Sequence, residues 1–204
     1  MPILHAPILE QAGFVESAKA AIEYVALLDG ATQSWGFSSS IPLGMADNCK
    51  VRLKLILNRN TTQVIYGGGS SPERLYIGTE NGNWLVGNGT DRVDTLIAAL
   101  IGTELTTELV LSGGVFKLLV NGSVVYEQPI KYSTSKSLTG ISDLSGFRLF
   151  GYAYDFEVEI DGDITNSIPL TNKAQGATQL ATVGSINATM INYTESVWKD
   201  KSTL

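Results

Sequence analysis

Two stretches of this chain alternate so regularly that they leave little freedom in the choice of fold. From Cys49 to Leu57, CKVRLKLIL, apolar residues take turns with Lys50, Arg52 and Lys54. Within FRLFGYAYDFEVEIDGDI, from Phe147 to Ile164, Phe156, Val158 and Ile160 take turns with Asp155, Glu157, Glu159 and Asp161. Successive side chains of a strand point to opposite faces, so each stretch has one apolar face and one charged face. One-sided alternation belongs to an antiparallel sheet with a single covered face. The chain is therefore expected to be all-β, with Phe156, Val158 and Ile160 turned to the core. A row of carboxylates on a sheet has two uses: a glycosidase sets such acids around its scissile bond, and any antiparallel sheet keeps its outer face solvated with them.

Turn chemistry divides the remainder. Tyr24 to Leu28, Asp29-Gly30 and Ser34 to Ser38 read as strand, turn and strand, since Asp-Gly supplies the positive φ of a tight turn. Ile41-Pro42-Leu43-Gly44 breaks the pattern ahead of Cys49. Gln63 to Tyr66 is closed by Gly67-Gly68-Gly69-Ser70-Ser71-Pro72, which is no phosphate loop because no Gly-Lys-Ser/Thr follows it. Arg74 to Gly78 and Trp84 to Gly87 flank Asn81-Gly82, and Val115 to Val120 and Ser123 to Glu127 flank Asn121-Gly122; both read as hairpins. Glu104 to Leu111 and Ser167 to Leu170 are further strands, and Lys131 to Leu144, rich in Ser, Thr and Lys, reads as a linker. Asp91 to Gly102 stays open. Val93, Leu96, Ile97, Leu100 and Ile101 match a helical face with Thr90 as N-cap, while Arg92 to Ala98 also suits an edge strand. At the front, Ile8, Ala12, Val15, Ala18 and Ile22 recur at spacings of three and four, so residues 1–21 are read as a short helix or arm preceding one domain at 22–204.

Composition removes several function classes. Fourteen basic residues stand against 20 acidic ones, a net charge of −6, which offers no cationic excess for phosphates, nucleic acid or an anionic membrane. Cys49 is the single cysteine, which rules out an internal disulfide or a thiolate zinc cluster within one chain. The single histidine, His5, sits between Pro2 and Pro7 in the first residues, so Ser-His-Asp and multi-histidine metal chemistry are not expected. No apolar run approaches the roughly 20 residues of a membrane span, and MPILHAPILEQAG lacks the pattern of a signal peptide, so the protein is read as made in a cytoplasm. No cofactor is expected. Asp161-Gly162-Asp163 is at most a fragment of a calcium site, so no metal is expected either.

The ordered pieces resemble a known family. A strand-turn-strand start with Asp29-Gly30, a Val120-Asn121-Gly122-Ser123-Val124 hairpin in place of the family's YVDG-K-type hairpin, and the Phe147 to Ile160 strand pair followed by a short strand resemble the concanavalin A-like lectin/glucanase jelly roll, the laminin-G-like group included. Ile168-Pro169-Leu170 through Gly184-Ser185-Ile186-Asn187-Ala188-Thr189-Met190 to Val197-Trp198 is similar to the closing segment of such domains in bacteriophage virion proteins. The resemblance spans about residues 22 to 200; Asp91 to Gly102 and the first 21 residues depart from it. It implies a two-sheet antiparallel jelly-roll sandwich with a short N-terminal arm or helix. Such folds carry glycan-binding domains, glycosidases and non-catalytic parts of viral particles, so function follows from the site and not from the fold.

The glucanase branch of that family would require a Glu-x-Asp-x-(x)-Glu strand. Glu159-Ile160-Asp161 supplies the first two members, but Gly162, Asp163, Ile164 and Thr165 follow and the second Glu is missing. Asp155, Glu157 and Glu159 alternate suitably in the wrong order, so the protein is expected not to be an enzyme. Aromatic side chains near loop tips are the candidate ligand-binding residues: Tyr76, Trp84, Tyr152 and Tyr154, each of which has a competing place in the core or its rim. The expected function is that of a non-catalytic phage virion structural protein, a capsid decoration or tail-fibre component that mediates assembly and surface contact and also binds glycans. Its partners would be other virion proteins and further copies of itself, with host-surface or environmental glycans as ligands. The alternative is a carbohydrate-binding module or glycoside hydrolase-like protein using the same jelly roll.

Overall fold

The two alternating stretches are neighbours. In the computed structural model, which describes residues 23–43, 48–69, 71–144 and 146–204, strand β3 (Cys49–Leu57) lies antiparallel to β12 (Phe150–Ile160) along nearly its whole length. Val51 faces Val158 on the inner side, and both are fully buried. On the outer side the two charge rows meet: Lys50 pairs with Glu159 at 3.1 Å, Arg52 with Glu157 at 3.0 Å, and Lys54 with Asp155 at 2.9 Å. Arg52 also reaches Glu108 at 3.5 Å. The acids expected only to keep the face solvated are thus cross-strand partners. Partly exposed pairs contribute about 0–1 kcal/mol each, whereas burying an aliphatic side chain contributes about 1.5–3 kcal/mol, so the apolar side sets the pairing and the ion ladder reinforces it.

Around this pair the chain builds a two-sheet antiparallel jelly-roll sandwich. One sheet contains β1 (Tyr24–Asp29), β3, β8 (Glu104–Ser112), β9 (Val115–Val120), β10 (Ser123–Pro129), β12, β13 (Asp163–Ile168) and β16 (Trp198–Asp200), in the order β10-β9-β8-β3-β12-β1-β16 with β13 also paired to β12. The other runs β14-β15-β2-β11-β4-β5-β6-β7, from β2 (Ser34–Leu43), β4 (Gln63–Gly68), β5 (Arg74–Glu80), β6 (Asn83–Gly89), β7 (Asp91–Ala98), β11 (Lys136–Ile141), β14 (Thr178–Gln179) and β15 (Ala188–Ile191). Trp35, Tyr66, Trp84, Phe116, Phe156 and a set of leucines fill the space between them. Phe156 and Val158 are fully buried and Ile160 packs partly buried against the core, as the alternation requires. Cys49 is buried too.

The structure sharpens some expectations and corrects others. The strand-turn-strand reading at Asp29-Gly30 holds, and because β1 and β2 lie in different sheets the turn is an arch. Asp29 Oδ1 accepts the main-chain N–H groups of Ala31, Thr32 and Gln33 at 2.8–2.9 Å, which ties the arch together. Burial pushes the Asp29 carboxyl up, but the N–H groups of Gln33, Ala31 and Thr32 and the Thr32 hydroxyl outweigh it and hold the group well below the usual carboxylate range. Pro42 does not end its strand: β15 flanks β2 only at Ser34 to Phe37, so the proline sits where β2 has a free side and no donor is missed. The segment Lys131 to Leu144 is no linker, because β11 within it is an interior strand of the second sheet. Of the two readings left open for Asp91 to Gly102 the edge strand holds, as β7; of the side chains that matched a helical face, Val93 packs against the core and Leu96, Ile97, Leu100 and Ile101 are exposed. The proposed arm, residues 1–21, and His5 with it, lie outside the described residues.

A bulge in β12 explains a subtler departure. Tyr154 faces Lys54, but the next pair is Glu157 with Arg52, so both Asp155 and Phe156 stand opposite Leu53. Asp155 takes φ 50°, the left-handed conformation such an extra residue adopts. The bulge shifts the parity of the strand by one: Tyr152 and Tyr154 fall on the outer side with Lys54, while Phe156 and Val158 point inward.

Val158→Asp should abolish cooperative folding, because an unpaired buried charge at this seam costs at least about 3–5 kcal/mol. Glu157→Gln should cost no more than about 1 kcal/mol, since Arg52 retains Glu108. Urea unfolding of both variants decides the matter, and equal effects would mean that the strand faces the other way.

Candidate functional site

The outer face of the second sheet carries a group of glycines beside a small apolar cluster in its middle. Strand register places Gly36, Gly140, Gly67 and Gly87 in one row on it, with Tyr76 between Gly67 and Gly87, and puts Gly78 on the same face between Val64 and Leu85. At three of these positions the neighbouring backbone leaves no room for a side chain. A Cβ at Gly67, Gly78 or Gly140 would lie 2.2, 2.2 or 2.1 Å from the carbonyl oxygen of Leu75, Gln63 or Trp35. At Gly87 a Cβ would fall 2.4 Å from the Tyr76 ring, so the ring lies directly against the bare α-carbon. Glycines in strand interiors mark such close approaches, and here they leave a trough.

Two adjoining recesses occupy the trough and share Gly69 and Leu144. The larger, about 640 Å³, is floored by Gly67, Gly68 and Gly69 and walled by Glu73, Lys136, Ser137, Thr139 and Asp143. The smaller, about 270 Å³, lies among Thr62, Arg74, Tyr76, Arg92 and Phe147. Val64, Tyr76 and Leu85 form a small apolar cluster there, separate from the main core and covered by Leu144. The Val64 N–H donates to the Phe147 carbonyl at 2.6 Å, which pins the loop after β11 across the trough. Phe147 is 44% exposed. A third hollow, about 860 Å³, lies at the start of the described chain among Glu23, Tyr24, Lys173 and Glu195; there Lys173 lies over the Tyr24 ring, and no comparable glycine floor is present.

The wall of the larger recess is stapled by Glu73. Its carboxylate accepts hydrogen bonds from the Ser133 hydroxyl at 2.8 Å, the Thr134 hydroxyl at 2.9 Å and Lys136 Nζ at 2.5 Å, with the Ser133 and Thr134 N–H groups further out. Lys136, then the Ser133 hydroxyl and Thr134, hold the Glu73 carboxyl down at about 2. Thr139 donates its hydroxyl proton to Asp143. In the smaller recess Arg92 pairs with Glu80 at 2.5 Å, and Arg74 donates to the Thr90 carbonyl at 2.7 Å. The trough therefore offers hydroxyl, carboxylate and guanidinium groups above a flat floor, with one open aromatic at its side.

Of the four aromatic residues singled out from sequence, the structure brings only Tyr76 to this trough, as a wall with its ring mostly covered. Trp84 opposes Thr79 on the inner face and is 1% exposed, so its indole presents no surface to a ligand. Tyr152 and Tyr154 lie on the other sheet, on the outer side because of the Asp155 bulge, and both are buried. The Tyr154 hydroxyl donates to Glu104 at 2.5 Å and Lys201 Nζ sits 4.5 Å from its ring centre; burial, then Glu104, push the phenol far up. Phe147, Glu73, Arg74, Lys136, Thr139 and Asp143 escaped the sequence reading. The glycines recurring inside strand patterns were the available signal.

No protein-family model matches the sequence, and no curated protein matches it significantly. Solved structures do resemble the fold. A Bacteroides ovatus protein assigned a carbohydrate-binding role aligns at a TM-score of 0.55 and 15% identity, covering 84% of this chain and 60% of its own. Domain 4 of the arabinanase AbnA from Geobacillus stearothermophilus, in complex with arabinotriose, aligns at 0.48 and 17% identity, covering 72% of this chain and 78% of that one. The heptameric SAP-like pentraxin of Limulus polyphemus aligns at 0.49 and 14% identity, covering 67% and 75%. At these identities the likeness is one of fold.

Glu73→Gln should lower the melting temperature at neutral pH and lose its effect in acid. With the carboxyl held at about 2 against an ordinary 4.5, the staple's contribution is complete above about pH 4.5 and is lost as pH falls from there through about 2. Melts of parent and variant between pH 7 and pH 2 should converge over that window; a constant gap would show that the carboxylate's charge plays no part.

Proposed function

We propose that this domain is a non-catalytic carbohydrate-binding module that takes a saccharide along the outer face of the second sheet. The carrying observation is the trough itself: two joined recesses lined by Gly67 to Gly69, polar groups around them, and Phe147 exposed beside them. Sugar sites pair a flat apolar contact with a few fixed polar groups, and both elements are present here. The shared fold with the Bacteroides ovatus protein supports the reading. The absence of catalysis is proposed because the acids that suggested a glycosidase, Asp155, Glu157 and Glu159, lie on the opposite sheet, each tied to a cation of β3.

A place in a phage particle is a second proposal. It draws on the resemblance of the closing segment and on the exposed aliphatic side chains Leu96, Ile97, Leu100 and Ile101 at the end of β7, which suit contact with another virion protein or a further copy of the chain. Mass spectrometry of purified particles tests it, and absence from every particle fraction would remove it.

On a glycan array, Phe147→Ala and Asp143→Ala should each weaken saccharide binding by at least about tenfold, or about 1.4 kcal/mol, with melting temperatures unchanged. Full binding by the double variant would place the site elsewhere. Trp84→Ala, by contrast, should cost about 3–5 kcal/mol of stability through the cavity it leaves.

A further inference from the structure

The smaller recess has a chemical character that the rest of the trough lacks. Two guanidinium groups, Arg74 and Arg92, flank the Tyr76 ring on the same face: Arg74 is two residues before Tyr76 on β5, and Arg92 stands opposite Gly87, which itself stands opposite Tyr76. Both charges bear on the Tyr76 phenol, which burial pushes up and Arg92 and Arg74 pull down. Arg92 is partly neutralised by Glu80. Arg74 has no carboxylate within ion-pair distance among the described residues; its one hydrogen bond, to the Thr90 carbonyl, fixes the guanidinium at the wall and leaves further N–H groups unused.

This concentration of positive charge stands on a chain of net charge −6 and beside an apolar lining of Val64, Leu85 and Leu144. Apolar walls strengthen a charge-assisted hydrogen bond, and a planar guanidinium matches a carboxylate or sulfate through two parallel bonds. The larger recess is of opposite character, with Glu73 and Asp143 against Lys136, which suits the hydroxyl groups of a neutral sugar. About 270 Å³ is close to the lower end of ligand-pocket volumes and leaves room for a single sugar residue.

Building on the carbohydrate-binding reading of the trough, we propose that the smaller recess is a subsite for an acidic sugar residue. Arg74 holds the carboxylate or sulfate, Arg92 adds attraction, Phe147 and the Tyr76 edge bound the ring, and neighbouring neutral residues of the same chain lie over Gly67 to Gly69.

The experiment is an array of uronate-containing, sialylated, sulfated and neutral oligosaccharides, with the uronates also present as methyl esters, probed with the whole chain and with Arg74→Gln and Arg74→Lys. Acidic members should bind at least about tenfold more tightly than their neutral counterparts, and Arg74→Gln should remove that preference while leaving neutral binding in place. Arg74→Lys should keep part of it, and added salt should weaken it. Whether the uronates or the sulfated glycans respond identifies the anion. Equal binding of acid and methyl ester, or a preference that survives Arg74→Gln, overturns the acidic subsite; if those neutral contacts still depend on Phe147, the trough reading stands alone. Binding to no saccharide at all overturns both.

Discussion

Strand β12 is clamped by β3 along its length, and the rest of the sandwich depends on that seam. Its inner side closes the core through Val51 and Val158, and its outer side closes with three cross-strand ion pairs. Because side chains alternate with a period of two, a register slip of one residue would bury the charges and expose the valines together. The bulge at Asp155 is the one place where the strand breaks its own rule. It lets one strand present Phe156 and Val158 to the core and, further along, place Tyr154 on the outer side under Lys201 and against Glu104. β1 and β13 then share the far edge of β12, one flanking Phe150 to Tyr152 and the other Phe156 to Ile160.

The two sheets divide the labour by the way each covers its outer face. The first is laced with paired charges, which leave its carboxylates occupied. The second is low in side chains where the backbone approaches closely at Gly67, Gly78 and Gly140, and there Val64, Tyr76 and Leu85 form a small apolar patch, the Tyr76 ring lying on Gly87. Beside that patch stand Glu73, Lys136, Leu144 and Phe147, which line the two recesses. The trough is thus a consequence of how the strands approach one another.

The fold was largely legible because its longest strands carry clean alternation and its hairpins carry Asn-Gly turns, with Asn81 and Asn121 both in the left-handed conformation those turns demand. The pattern of β11 is broken because its pairing with β2 shifts register between Leu138 and Gly140, leaving only Leu138 and Ile141 as core-facing apolar residues. β7 was left open between helix and strand because its end bulges outward: Leu96, at φ 58°, is 82% exposed, and the aliphatic run after it follows no core-facing rhythm. The site was barely legible. Trp84 and Tyr154 have the right side chains for sugar contact, but burial depends on which face a residue occupies, and a single bulge changes that.

By itself the sequence determined that the chain is an all-β sandwich, where its principal strands and turns lie, and that Phe156 and Val158 face the core. These follow from local rules: alternation with period two, and the few residues that tolerate positive φ. Only the tertiary structure decided that Asp155, Glu157 and Glu159 would meet Lys54, Arg52 and Lys50, that β11 would enter the middle of a sheet, and that Gly36, Gly140, Gly67 and Gly87 would line up with Tyr76 on one face. The ion pairs join residues 101 to 109 positions apart, and the glycines share a face only through strand register; no local pattern records either.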